Sequence, residues 1–262
     1  MVNMVFLNNG SSEFSEKLRR ICKRSPFGAK VQSYFDAYTG SYPFLDFWLC
    51  EGGGVSSAIC RYYSAVCLCG RVSAEAVDFI TMLSPSSVLC TGEDRFELPG
   101  MKRSEGETLQ FKNAPEPLPL LNGGLAVERL EGDMLHLKKV FDLLCSSYRE
   151  GTSLGDFEPY FIDNSHMIRH GASEVYALSR GGDLVSTLSV TSLTEDSAVI
   201  GSVATRPDER GKGYAFTLVS RVTSGLAARG KAVFLHRKDM IPVYERAGFV
   251  PCGTWAEYTR EP

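Results

Sequence analysis

Apolar residues along the chain recur with two periods, and the change from one to the other marks its elements. In the first half, SEFSEKLRRICKRS and FGAKVQSYFDAYT space their apolar positions as helices do. FLDFWLCE, VSSAICRYY and AVCLCG follow as short apolar runs joined by turns and predict three strands. SAEAVDFITMLS then predicts a helix and SSVLCTG another strand, so this half reads as α plus β. KNAPEPLPLLNGG, Lys112 to Gly124, breaks both periods with three prolines and two glycines. It predicts a linker over 112–124, between an N-terminal domain of residues 1–111 and a second domain of residues 125–262.

After the linker come strand LAVERL, helix DMLHLKKVFDLLCSSY and a shorter helix through FEPYFIDNSHMIRH. Strands EVYALSR, LVSTLSVTSL and SAVIGSVAT are joined by short connections at Gly181 and Thr194, which predicts an antiparallel meander. Helix YAFTLVSRVTSGLAARG, strand AVFLHR, helix MIPVYERAGF and strand CGTWAEYTR complete the chain. The strand–helix–strand order there favours a parallel pair, and hence a mixed sheet with helices on its faces. No short internal repeat or low-complexity tract is visible.

Composition narrows the class. The 262 residues are 44% hydrophobic and 23% charged, as expected of a globular chain with sizeable cores. A formal net charge of −3 argues against a nucleic-acid partner, which usually demands a cationic excess. The N-terminus MVNMVFLNNGSSEF lacks a basic region and a signal-length apolar run, and no stretch is apolar enough to span a membrane. The expectation is a cytoplasmic protein without membrane partners. Its eight cysteines form no C-x-x-C pair and have no histidine at ligand spacing, so they read as buried, reduced thiols and no metal site is expected. Cys67 and Cys69 share one face of a strand and read as core residues.

The segment RPDERGKGYAFTLV, Arg206 to Val219, is the most informative. In the helix that follows the loop, Ala215, Leu218, Val219, Val222 and Leu226 recur on one face, while Thr217, Ser220, Arg221 and Ser224 fall largely elsewhere. The loop therefore stands at a helix N-terminus, where the first backbone N–H groups lack partners and the peptide dipoles sum to about half a positive charge. An anion is the natural guest. Gly211 and Gly213 leave out β-carbons that would hold a phosphate off the backbone, and Arg210 and Lys212 add attraction for a polyanion. A nucleotide-triphosphate loop requires Ser or Thr after its Gly-Lys, but Gly213 follows Lys212. A dinucleotide loop requires a third small residue where Phe216 stands, and its strand should open a βαβ unit instead of closing a meander.

RGKGYA, with Arg210, Gly213 and Ala215 as Arg-x-x-Gly-x-Ala, is preceded by VATRP and followed some thirty residues later by VYERAGF. Together, over about Leu125 to Arg260, these resemble the GNAT superfamily of acyl-CoA-dependent N-acyltransferases. The resemblance implies a mixed central sheet flanked by helices, with acetyl-CoA as co-substrate. It also implies that the amides from Arg210 through Gly211, Lys212, Gly213 and Tyr214 to Ala215 hold the pyrophosphate. Val203, Ala204 and Thr205 on the preceding strand would bind the pantetheine arm. Tyr244 matches the family tyrosine that protonates the departing thiolate, and a phenol with an ordinary pKa of about 10 stays protonated for that task.

Departures from the family pattern matter as well. Arg237 stands seven residues before Tyr244, where an asparagine often contacts the cofactor. Pro242 requires a place in the first turn of its helix, with Asp239 as the cap. Gly248 and Phe249 read as a helix stop and its hydrophobic anchor. SAVIGSVAT carries no carboxylate for a base. His236, Glu257, Glu195 and Asp196 are the candidates, against deprotonation of the amine through ordered water. Tyr148, Tyr160, Asp163, His166 and His170 lie where the resemblance implies an acceptor pocket. The acceptor is an amine on a small molecule or a protein, and the oligomeric state is left open.

The first half reads as a second, degenerate module of the same architecture. Gly70-Arg71 stands where its phosphate loop would be, without the Arg-x-x-Gly motif or a following tyrosine motif, so no cofactor is expected there. The basic KLRRICKR reads as a solvated helix face. The module's expected role is to cover a sheet edge or narrow the acceptor entrance. The reading is an N-acetyltransferase; its alternative is a catalytically inactive acyl-CoA-binding regulatory or interaction module.

Overall fold

A computed structural model describes residues 4–8, 10–38, 42–52, 54–114, 117–147 and 154–260. The chain divides into two compact units: Met1–Leu109 with His236–Asp239 and Pro251–Pro262, and Gln110–Leu235 with Met240–Val250.

The first unit begins with strand β1 (Met4–Leu7) and helices α1 (Ser12–Cys22) and α2 (Pro26–Ala37). Ser11 and Ser25 cap the two helices by accepting from the amides of Phe14 and Gly28, and Pro26 needs no amide partner in the first turn. Strands β2 (Leu45–Gly52), β3 (Val55–Tyr62) and β4 (Ala65–Gly70) form an antiparallel meander beside β1. Helix α3 (Ala74–Leu83) crosses to β5 (Ser87–Thr91), which runs parallel to β4. Trp48, Ile59, Leu68, Ile80 and Val88 meet in its core.

Strand β6 (Met101–Phe111) follows. Neither β1 nor β6 was legible in the hydrophobic pattern. In β6 the alternation is carried by polar residues, with Ser104 donating to the carbonyl of Glu257 and Glu107 paired to Arg237.

The second unit repeats the order. Strand β7 (Leu125–Leu130), helices α4 (Met134–Ser147) and α5 (Phe157–Arg169), and the meander β8 (Glu174–Arg180), β9 (Asp183–Leu193) and β10 (Ser197–Thr205) are followed by α6 (Tyr214–Ala228) and β11 (Ala232–Arg237). Ser197–Ile200 of β10 pair in parallel with Ala232–Leu235, as the strand–helix–strand order predicts. Leu137, Val140 and Leu144 of α4 pack on Leu130, Val175 and Ala177. Buried Glu174 accepts from Arg129, Arg229 and the Tyr176 hydroxyl, tying β7 and β8 to the end of α6. Burial raises its pKa, yet these donors overcompensate and hold it below the usual carboxylate range.

Several expectations are corrected. The last helix, α7 (Pro242–Arg246), has five residues, and its cap is Ile241 without a side-chain bond; Pro242 does lie in the first turn. Thr217 and Ser220 of α6 are buried, because a helix covering β9 and β10 buries a wider arc than one apolar stripe. Thr217 donates its hydroxyl back to the Gly213 carbonyl. Cys145 and Cys252 are exposed, unlike the other six cysteines. The final strand β12 (Phe249–Arg260) leaves the second unit after Val250, and Trp255–Thr259 pair with β5 in the first. A contiguous 125–262 domain therefore does not describe it. Among the described residues, no helix is long and apolar enough to cross a membrane, and no group of three or more potential ligands is placed to hold a metal.

Candidate functional site

The meander and its crossover helix build one cleft of about 440 Å³ in the second unit. One wall is the end of β10. Between Gly201, opposite Ser189, and Ala204, opposite Thr187, β10 has one residue more than β9. Ser202 takes a positive φ of 48° in this bulge. A bulge leaves its extra residue without a ladder partner and bends the strand. Val203, Ala204 and Thr205 line the cleft at this bend.

The 3-10 turn Pro207–Glu209 leads into the glycine loop. Gly211 and Gly213 adopt φ of 80° and 82°, and a β-carbon on either would project into open space. Gly213 caps α6 without any side-chain bond, so the first amides of a 15-residue helix have no intrahelical acceptor and open where Gly213, Tyr214 and Ala215 line the cleft. The first unit has the opposite arrangement. Ser73 caps α3 by accepting from the Ala76 amide, Glu75 stands in the first turn, and Glu93 and Asp94 line the nearby cavity with Gly70 and Arg71. One amide of that helix end is thus already taken, and two carboxylates share the cavity with Arg71.

The loop cations do different work. Arg210 lines the cleft while donating to the carbonyls of Thr205 and Ser147 at 3.3 and 2.8 Å, which braces the loop against β10 and α4. Lys212 turns onto Glu209 at 2.7 Å and is not among the residues lining the cleft. Arg206 and Arg180 also reach Glu209, at 3.3 and 3.8 Å. The Lys212 ammonium, helped by these guanidiniums, holds the Glu209 carboxyl below the usual range.

Tyr244 reaches the same cleft from α7, its ring edge-on to Phe249 at 6.2 Å. Ser147, Glu209, Phe216, Ile241, Val243 and Arg246 complete the lining. None of these six was identified from the sequence. Glu209 and Phe216 flank the loop motif, but nothing in their spacing reveals which way they face.

The candidate bases lie elsewhere. His236 belongs to the first unit, with Nδ1 3.0 Å from the Thr108 hydroxyl and its ring 5.2 Å from Phe27. Burial, with the Lys30 charge, lowers its pKa to about 4. Glu257 lies on β12 in the first unit. Asp196 accepts from Thr194 and Ser197 in the β9–β10 turn, and the neighbouring Glu195 carbonyl accepts from Lys231. Arg237 is buried and paired with Glu107 at 2.7 Å in the first unit. In the acceptor region, Tyr160 packs on Phe141, and His170 bonds through Nδ1 to the His166 carbonyl with the two imidazoles 4.1 Å apart. Asp163 lies on the same helix, and Tyr148 falls outside the described residues.

The comparisons with known proteins agree with this architecture. Residues 137–249 match the acetyltransferase (GNAT) family. No curated protein matches the chain. A tandem GNAT protein from the clavulanic acid biosynthesis pathway superposes with a TM-score of 0.60 at 13% identity, covering 100% of this chain and 99% of its own. A GCN5-related N-acetyltransferase from Kribbella flavida gives 0.60 at 14% identity, covering 89% and 94%. Another from Sphaerobacter thermophilus gives 0.59 at 16%, covering 98% and 96%. At such identities the likeness is one of fold, and the tandem protein matches the two-module arrangement along the whole chain. Residues 137–249, with the cleft they contribute to, are a domain of the GNAT acetyltransferase family.

Proposed function

We propose that the chain is an N-acetyltransferase that uses acetyl-CoA to acetylate a primary amine, on a small molecule or on a protein. One observation carries the reading: the uncapped end of α6, the bulged end of β10 and the Tyr244 side chain share one cleft. The residues suit such a guest. Amides of the loop and of the first turn of α6 attract a diphosphate, and Gly211 and Gly213, both at positive φ, carry no β-carbon to hold it off. Peptide groups of Val203–Thr205 offer hydrogen bonds to an extended amide-bearing arm. Bound acetyl-CoA supplies an activated thioester carbonyl. Tyr244 donates the phenolic proton to the sulfur that leaves. Glu209, the carboxylate lining the cleft among the described residues, is held by Lys212 and Arg206, so water carries the amine proton away. The first unit takes no cofactor in this reading, since Ser73 occupies the Ala76 amide of α3 and Glu93 and Asp94 line the cavity beside Gly70 and Arg71.

A second reading, an acyl-CoA-binding module without turnover, draws support from the engagement of Glu209 and the placement of the other candidate bases outside the cleft lining. Calorimetry with coenzyme A, followed by thiol release from acetyl-CoA across a panel of amines, separates the two. Binding with amine-dependent thiol release supports the enzyme. Binding without release from any amine supports the module, and absence of binding overturns both.

A further inference from the structure

Phe216 is the third residue of α6 and lies one position beyond the amides assigned to the diphosphate. The Arg246 guanidinium carbon sits over its ring, 4.6 Å from the centroid, and both residues line the cleft. Arg246 is exposed and Phe216 partly buried, so the guanidinium rests on the ring while the residue remains open to solvent. A guanidinium over a ring has the chemistry of a stacking platform: it is planar and weakly hydrated, and both aromatic rings and nucleobases stack on it. Its position also follows from covalent connectivity. In coenzyme A the diphosphate links the pantetheine arm to an adenosine. With the diphosphate on the tip of α6 and the arm along Val203–Thr205, the adenosine continues from the other phosphorus, past the first turn that carries Phe216.

We propose that Arg246, backed by Phe216, is the platform on which the purine of the bound cofactor stacks. This inference rests on the cofactor reading above. The pair adds affinity for the nucleotide end and leaves the thioester chemistry to other residues. The neighbouring cations Arg180, Arg206 and Lys212 converge on Glu209, whereas Arg246 is turned to an aromatic ring.

The test is calorimetric titration of the full chain with coenzyme A, 3′-dephospho-coenzyme A and 4′-phosphopantetheine, for wild type, Arg246→Ala, Arg246→Lys and Phe216→Leu. The expected result is a loss of about tenfold in affinity for both adenosine-bearing compounds in Arg246→Ala and Phe216→Leu, with 4′-phosphopantetheine unchanged. Arg246→Lys should behave like the alanine variant, because an ammonium keeps the charge but loses the plane. A loss confined to coenzyme A would identify a contact with the 3′-phosphate and overturn the stack. An equal loss for all three compounds, full rescue by lysine, or no loss would overturn it as well. Wild-type protein that binds none of the three would instead overturn the cofactor reading itself. Circular dichroism and melting curves matching wild type ensure that each variant is compared as a folded protein.

Discussion

Tyr244 reaches the cleft from a helix of five residues whose start is set by Pro242 and whose exit is followed by Gly248, at φ 98°. Removing only its hydroxyl keeps the ring on Phe249. Tyr244→Phe should lower turnover by about a hundredfold, within the range for loss of a general acid, with the coenzyme A affinity little changed. Steady-state rates alongside calorimetry check this, and unchanged turnover would remove the acid role. A second residue-scale expectation concerns His236. Its folded pKa of about 4 lies below the ordinary 6.5, so between these values the unfolded chain takes up a proton that the folded chain refuses. The stability this neutral imidazole contributes is complete above pH 6.5 and is lost as the pH falls toward 4, by at most about 3 kcal/mol. Denaturant unfolding at pH 7, 6 and 5 should show that slope in wild type and a shallower one in His236→Phe.

At the scale of elements, the two crossover helices have equivalent places and different ends. Helix α6 begins on Gly213 and leaves its amides open; α3 begins on Ser73, which spends its hydroxyl on the Ala76 amide. Gly213→Val would force a β-branched residue to a φ near 82°, a conformation costing roughly 1–2 kcal/mol. Its β-carbon meets nothing in the protein, so the fold survives while the loop shifts and a side chain enters the anion's space. Coenzyme A affinity should fall at least about tenfold by calorimetry; unchanged affinity would count against the loop as the diphosphate site. The loop was legible in the letters because glycines and cations before an amphipathic helix have a direct electrostatic meaning. The bulge at Ser202 follows Gly201, a residue that inside a strand is a signal for a bulge, but which residue is left unpaired is set by the register with β9.

At the scale of the whole molecule, the exchange of the last strand matters most. Trp255–Thr259 pair with β5 and bring Ala256 and Tyr258 into the core of the first unit. Removing residues 251–262 should therefore unfold or loosen the first unit, although it deletes only what looked like the end of the second domain. Hydrogen exchange should report lost protection at Ser87–Thr91, and full protection there would contradict the role of the strand.

The sequence by itself determined most helices, the β8–β10 meander, the parallel return through α6, and the place of the glycine loop at the tip of that helix. These follow from local periodicity, turn chemistry and backbone electrostatics, which act over a few neighbouring residues. Only the tertiary structure decided that Lys212 turns to Glu209, that Arg246 rests over Phe216, that His236 and Arg237 belong to the first unit, and that β12 completes its sheet. Lys212 and Glu209 are only three residues apart, and their pairing is settled by which of several cations reaches that carboxylate. The other outcomes depend on contacts between residues far apart in the chain. Competition among charged partners and free strand edges is resolved only when those groups meet in the folded protein.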